Sequence, residues 1–84
     1  MMNIQVFIAY LSQGREIEFR LNGNNYFLQP DYNNKADYIL YCCETSDNSK
    51  EIYRGNHDEI LKYDFGIGVC LQDNFDSFEF LFIL

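Results

Sequence analysis

Apolar residues near the start of the chain recur at helical spacing. Positions i, i+3, i+4 and i+7 of this stretch are filled by Ile4, Phe7, Ile8 and Leu11, which is the pattern of a helix with one apolar stripe. We therefore predict a short helix over about residues 3–12, with these side chains on one stripe. Gly14 should end it, because glycine adopts the left-handed conformation of a helix C-cap at little cost.

Strict alternation follows over residues 16–21 and predicts a strand with one buried face. The next two residues, Asn22 and Gly23, form the dipeptide that most readily supplies the two positive φ angles of a type I′ hairpin turn. A two-residue loop pairs this strand with residues 24–28. In that register the apolar side chains share one face, in the pairs Ile17 with Leu28 and Phe19 with Tyr26.

The other face of this hairpin is predicted to be polar apart from one aromatic ring. Glu16 and Glu18 lie on it in the first strand, and Phe27 falls beside Glu18. An apolar ring on a solvated face needs cover from a loop or from a partner. Pro30 should end the second strand, because proline cannot donate to a sheet ladder.

Two further strands are predicted in the middle of the chain. Residues 38–44 show no alternation, which is typical of a strand that is covered on both faces. Residues 50–54 form a shorter strand, which Gly55 should break. The polar residues 31–37 and 46–49 supply the connections.

A second helix is predicted over about residues 57–65. Asn56 and Glu59 have the spacing of a capping box, in which the side chain of each accepts a hydrogen bond from the backbone amide of the other. Its inner stripe would consist of Ile60, Leu61 and Phe65. Residues 69–77 have an ambiguous pattern, for which we expect one helical turn.

The last seven residues are the most apolar segment and predict a strand in the interior of the sheet. Alternation would place Phe78, Phe80, Phe82 and Leu84 on one face, and Leu81 and Ile83 on the other. All these patterns together predict one small acidic α+β domain over residues 1–84. Its single, antiparallel-dominated sheet would follow the order α-β-β-β-(β)-α-β, with the helices mainly on one face.

The charge of the chain limits its partners. Thirteen acids against six bases give a net charge of −7, so direct binding to nucleic acid or to an anionic membrane is disfavoured and a basic protein partner is favoured. The first residues lack the basic segment of a signal peptide, and no stretch approaches the roughly 18 apolar residues of a membrane span. We therefore expect a cytoplasmic protein.

Candidate catalytic and metal-binding residues are sparse. Adjacent side chains in a strand point to opposite faces, so Cys42 and Cys43 suit neither a disulfide framework nor one metal ion. His57 has no nucleophile or orienting partner at a suggestive spacing. The five glycines form no phosphate-binding loop. We therefore predict no enzyme activity, no cofactor and no metal site.

Two carboxylate pairs, Glu16 with Glu18 and Asp73 with Asp76, are expected to face solvent. One interpretation is that they only keep a small hydrophobic protein soluble. The other is that they form part of a negative field that steers the protein to a basic cleft, including one that normally holds nucleic acid. These four acids and Phe27 are the candidate partner-binding residues.

Several of these segments carry a resemblance to known small proteins. Residues 14–19, the Asn22-Gly23 turn, residues 26–28, the late capped helix and residues 82–84 resemble small uncharacterised proteins of low-GC Gram-positive bacteria and their prophages, over nearly the full length. In size, acidity and helix-then-hairpin layout the chain is also similar to acidic phage anti-CRISPR and anti-restriction proteins, which occupy the nucleic-acid cleft of a defence enzyme. The resemblance implies a phage or mobile-element protein that acts in the cytoplasm of a bacterial host.

Two hypotheses about function follow. The first is a non-enzymatic interaction protein whose acidic surface engages a basic partner, such as a nucleic-acid-binding defence nuclease that it inhibits. The alternative is a structural or housekeeping domain that forms a homodimer or larger oligomer through exposed aromatics such as Phe27. Acids clustered on one face would favour the first, and an exposed apolar patch of several hundred Å² would favour the second.

Overall fold

The computed structural model describes residues 2–45 and 48–84, which contain one antiparallel sheet of five strands. In chain order the elements are α1 (Ile4–Ser12), β1 (Ile17–Leu21), β2 (Asn24–Pro30), β3 (Asp37–Thr45), β4 (Asn48–Asn56), α2 (His57–Lys62), a 3₁₀ turn (Phe75–Ser77) and β5 (Glu79–Ile83). The predicted α+β class, the single sheet and the order of elements are confirmed. Among the described residues, no helix is long and apolar enough to cross a membrane.

The predicted hairpin is confirmed in its turn and in its register. Asn22 and Gly23 have φ angles of 51° and 81°, as a type I′ turn requires. Ile17 pairs with Leu28 and Phe19 with Tyr26, and all four side chains are buried. The hairpin therefore supplies the middle of the apolar face on which the helices pack.

The prediction that the C-terminal strand lies inside the sheet is wrong. The strand order is β4-β3-β2-β1-β5, so β2 is the middle strand and β5 lies at an edge, beside β1. An apolar run shows that a strand has buried side chains, but it carries no information about how many neighbours the strand has. Phe82 and Leu84 are accordingly 64% and 70% exposed.

A β-bulge in β5 also overturns the predicted alternation of its side chains. Ile17 of β1 pairs with Ile83, whereas Phe19 pairs with Phe80, so β5 holds one extra residue between these pairs. Phe80 and Ile83 consequently both pack against the core. Phe80 and Phe82, which alternation would place together, lie on opposite faces.

Helix α1 packs on the sheet through a narrower stripe than its sequence predicts. Phe7 and Leu11 are 0% and 1% exposed, but Ile8, on the same predicted stripe, is 39% exposed. Successive residues of a helix are rotated by about 100° around its axis. Because the nine-residue helix α1 contacts the sheet along the Phe7–Leu11 row, Ile8 points away from that contact. The Tyr38 hydroxyl, 3.0 Å from the carbonyl oxygens of both Leu11 and Arg15, ties the end of α1 to β3.

Helix α2 begins with the predicted capping box, in which Asn56 Oδ1 accepts from the Glu59 amide and Glu59 Oε1 accepts from the Asn56 amide, both at 2.9 Å. It ends at Lys62 instead of Phe65, whose ring still packs on the core. Gly55 does not break the preceding strand but lies within it, opposite Tyr38. A Cβ there would stand 2.9 Å from Glu59 Cβ, so glycine allows the first turn of α2 to sit against β4.

The buried core lies between the helices and one face of the sheet, which we call the inner face. Phe7 and Leu11 of α1 and Ile60 and Leu61 of α2 belong to the same apolar cluster as the inward side chains of β1, β2 and β3. The segment after α2 completes this layer, with the rings of Phe65 and Phe78 5.1 Å apart. Its one helical turn, predicted within residues 69–77, is the 3₁₀ turn.

Candidate interaction surface

The opposite side of the sheet, which we call the outer face, is formed by the strand residues that alternate away from the core. In β1 these residues are Glu18 and Arg20, whereas Ile17, Phe19 and Leu21 are buried on the inner face. Helices α1 and α2 both belong to the inner layer. Within residues 2–45 and 48–84, no helix covers the outer face.

One row of side chains crosses the outer face from edge to edge. Pairing between neighbouring strands aligns one residue from each, in the order Phe82 (β5), Glu18 (β1), Phe27 (β2), Tyr41 (β3) and Glu51 (β4). We call this row the central rung. Because neighbouring strands lie about 4.8 Å apart, it spans about 19 Å.

Three of the five positions in the central rung are aromatic. Phe82 is 64% exposed, and Phe27 and Tyr41 are half-buried with their ring centroids 6.4 Å apart. Glu18 stands in the register position between Phe82 and Phe27. The rung therefore offers a carboxylate flanked by aromatic side chains on an uncovered sheet.

Arg20, next to the rung on β1, has its guanidinium occupied by neighbours on the same face. Its Nε donates to Asn25 Oδ1 at 2.9 Å, and its Nη1 lies 3.4 Å from Glu79 Oε2. Both members of this ion pair are exposed, so the pair contributes little stability. On this surface, the positive charge of Arg20 and the negative charge of Glu79 cancel.

Arg54 of β4 is held by two carboxylates. Its Nη2 donates to Glu51 Oε1 at 2.9 Å, and its Nη1 donates to Asp31, a buried residue just after β2. Hydrogen bonding to Glu51 and to Asp31 raises the pKa of Arg54. The pKa of Asp31 is lowered mainly by the hydrogen bond from the Asn33 amide. The hydrogen bond and positive charge of Arg54 lower it further, although desolvation opposes the shift. This cluster carries two acids for one base.

Glu18 on the outer face and Glu16 just before β1 leave an excess of negative charge around this strand. Glu16 Oε2 accepts a hydrogen bond from the Tyr32 hydroxyl at 2.8 Å, an interaction that raises the pKa of Tyr32. In the part of the chain that the structure describes, neither glutamate belongs to a salt bridge. Both carboxylates therefore remain available to a cation from outside.

The structure brings together three of the five predicted contact residues. Glu18 and Phe27 are paired on neighbouring strands of the outer face, and Glu16 directly precedes β1. Asp73 and Asp76 belong to the segment around the 3₁₀ turn, where Phe75 packs against Phe7 on the inner side of the sheet. The two carboxylate pairs consequently lie on different sides of the molecule.

Other residues of the outer face were not predicted from the sequence. Phe82 reaches it because of the bulge in β5, and Tyr41 belongs to a strand expected to be covered on both faces. Glu51 and Glu79 sit on the two edge strands. Alternation marks the outward residues of a strand, but strand order and register are needed to place residues from five strands in one row.

The surface depressions are open. One of them, with a volume of about 580 Å³, lies between the start of α1 and residues 72–77 and has no cysteine, histidine or lysine in its lining. No group of three metal-ligating side chains was found in residues 2–45 and 48–84.

Comparison with protein-family models, with curated proteins and with solved structures finds no match.

Proposed function

We propose that this chain is a non-enzymatic interaction protein that binds a basic protein partner through the outer face of its sheet. The observation that carries the proposal is the central rung, where the carboxylate of Glu18 lies between Phe82 and Phe27 on an uncovered face. Aromatic side chains supply contact area at low entropic cost, and acids supply orientation and attraction.

The electrostatics of the molecule support this choice of partner. The net charge is −7, and both arginines that adjoin the central rung are already paired with acids. A field of this sign accelerates encounter with a cationic surface and slows encounter with phosphate-rich molecules. It is screened over about 8 Å at physiological ionic strength, so association should depend on salt.

A nucleic-acid-binding enzyme of a bacterial host is the partner class that we propose. The cleft of such an enzyme is lined with lysine and arginine, because phosphate contacts supply most of its affinity. A folded acidic surface about 19 Å wide can occupy such a cleft and exclude its substrate. A phage or mobile-element protein that inhibits a defence nuclease in the bacterial cytoplasm would work in this way.

Self-association through the outer face is the second candidate function. The exposed ring of Phe82 beside the half-buried ring of Phe27 favours it, since aromatics that reach the surface often mark an interface. Face-to-face pairing, however, would bring the Glu16 and Glu18 carboxylates of one copy close to those of the next, and like charges across an interface are unfavourable. Sedimentation of the protein at several concentrations and at high salt distinguishes a dimer from a monomer.

Two charge-reversal variants test the proposed function. Glu16→Lys/Glu18→Lys changes the outer face, and Asp73→Lys/Asp76→Lys makes the same change in net charge on the inner side. Affinity capture from host-cell extract identifies the partner, and binding kinetics are then measured at low and at physiological salt. We expect the first variant to slow association at low salt by about tenfold or more and the second to change it little.

Thermal melts of both variants serve as the control for folding, because all four acids are exposed or half-buried and none forms a salt bridge in the described residues. The proposal is wrong if the outer-face variant binds the same partner with the same rate and salt dependence as the unchanged protein. An effect of the inner-side variant alone would move the interface to residues 73–76.

A further inference from the structure

We propose that the segment of the partner that occupies the outer face is a basic, amphipathic α-helix laid along the central rung. This inference rests on the proposed function and adds the shape and chemistry of what is bound. It follows from the spacing of the aromatic side chains, the position of the acids around them and the sign of their charge.

The spacing of the central rung suits a helix that crosses the strands. Its side chains repeat at the strand separation of about 4.8 Å, and a helix presents one residue per turn at about 5.4 Å along its axis. A helix of about 13 residues covers the 19 Å from Phe82 to Glu51. Apolar residues at i, i+3, i+7 and i+10, a stripe about 15 Å long, would meet Phe82, Phe27 and Tyr41.

The acids lie where the polar flanks of such a helix would fall. Glu79 is three residues before Phe82 because of the bulge; it pairs with Arg20, whose guanidinium it holds, about 7 Å to one side of the central rung. Glu16, two residues before Glu18 and just outside β1, lies about the same distance to the other side. Lysine or arginine beside the apolar stripe reaches this distance, with the apolar part of its side chain against the sheet. A guanidinium over Glu18 would pair with the carboxylate and pack on Phe82 or Phe27.

The same charge disfavours the other occupants of an aromatic sheet face. A single-stranded nucleic acid could stack its bases on the rings, but its phosphates would face Glu18, which belongs to no salt bridge within the described residues. An anionic lipid surface meets the same repulsion. A second copy of this chain would oppose its own glutamates. A cationic helix satisfies both the apolar and the acidic parts of the surface.

Three synthetic peptides of about 18 residues, long enough to populate a helix, test the inference. The first places leucines in one stripe flanked by lysine and arginine. The second has the same composition with the leucines spread evenly around the helix. The third repeats the first with glutamate for every base. Binding to the full chain is measured by calorimetry, and the contact surface is mapped by amide chemical shifts.

We expect the striped basic peptide to bind at least about tenfold more tightly than the spread one, with shifts on β1, β2 and β5. The acidic peptide should not bind. Phe82→Ala should lower the affinity for the striped peptide by about tenfold or less, because removing a largely exposed ring reduces the contact area without disturbing the core. Ile67→Ala, which removes an even more exposed apolar side chain from the loop after α2, should leave binding unchanged.

Equal binding of the striped and spread peptides on the outer face would contradict the proposed helix, but would still agree with the proposed acidic interface. Shifts confined to the inner side, or striped-peptide binding that Glu16→Lys/Glu18→Lys does not weaken, would overturn the helix and the proposed function together. Failure of the striped peptide to bind at all would also overturn the helix. A dimer in sedimentation that dissociates on Phe82→Ala would assign the face to a second copy.

Discussion

Asp31 shows how one residue can anchor an edge of the sheet. The residue is 5% exposed, and its carboxylate accepts from the Asn33 amide at 3.0 Å and binds the guanidinium of Arg54. Hydrogen bonding of this kind favours the charged form, which is why the pKa of Asp31 lies below its ordinary value of 3.8. The charge of this residue is therefore part of the folded state.

Replacing Asp31 with asparagine should remove part of the acid sensitivity of the fold. A carboxyl whose pKa is lower in the folded than in the unfolded chain stabilises the fold above pH 3.8, and this contribution is lost as the pH falls through the folded pKa. Asp31→Asn should thus be less stable than the unchanged protein at pH 7, and the gap should narrow towards pH 3. Thermal melts from pH 7 to pH 2.5 measure it.

Asp76→Asn serves as the comparison, because Asp76 is an exposed aspartate. A stability difference between Asp31→Asn and the unchanged protein that stays constant over this pH range would contradict the assigned role of the Asp31 carboxylate. A gap for Asp76→Asn that narrows with pH in the same way would show that the effect is not specific to the buried site.

At the scale of the element, the bulge in β5 directs the side chains of two nearby phenylalanines to opposite faces of the sheet. Phe80 packs with its ring centroid 5.4 Å from that of Phe7 and 4.9 Å from that of Phe75. Phe82, two residues later, lies on the outer face and is 64% exposed. Without the bulge, alternation would place both rings on one face. The bulge therefore divides β5 between the core and the outer face.

Alanine substitutions of these two residues should have unequal effects on stability. Phe80→Ala removes a ring from the aromatic cluster and should lower the free energy of unfolding by about 3 kcal/mol. Phe82→Ala should lower it by less than about 1 kcal/mol, since most of its ring is already in water. Urea denaturation of both variants measures the difference. Equal losses would mean that the bulge does not divide the strand as described.

On the scale of the whole molecule, the sheet is covered on one side and open on the other. The apolar cluster includes residues from both helices and from β1, β2 and β3, whereas β4 and β5 each lie at an edge. A chain of this size has only about 4–13 kcal/mol of stability in total. We expect that stability to be unequally distributed, highest in the middle of the sheet and lowest at its edges.

Hydrogen exchange should reveal this gradient. The ladder amides of β1 and β2, which pair with a strand on each side, should exchange most slowly and approach the rate of global unfolding. Amides of β5 and of the segment around the 3₁₀ turn should exchange faster through local opening. Native-state exchange followed by NMR provides the comparison. If β5 were as slow as β2, it would have to unfold together with the middle of the sheet.

Sequence alone determined the local geometry of this protein wherever a short-range physical rule applies. The Asn22-Gly23 turn sets its own type and hence the register of the hairpin, and Asn56 with Glu59 sets the start of α2. The α+β class and the outward direction of Glu18 follow from the period of the apolar residues. Each of these depends on residues that are close together in the chain.

Tertiary structure alone decided what depends on neighbours distant in the chain. Pairing with β1 on one side only made β5 an edge strand, and a one-residue bulge moved Phe82 to the outer face. Gly55 was predicted to break a strand but instead makes room for Glu59. The central rung exists because register across five strands aligns residues from positions 18 to 82. A local pattern cannot encode that alignment, because it is set by which strands pair.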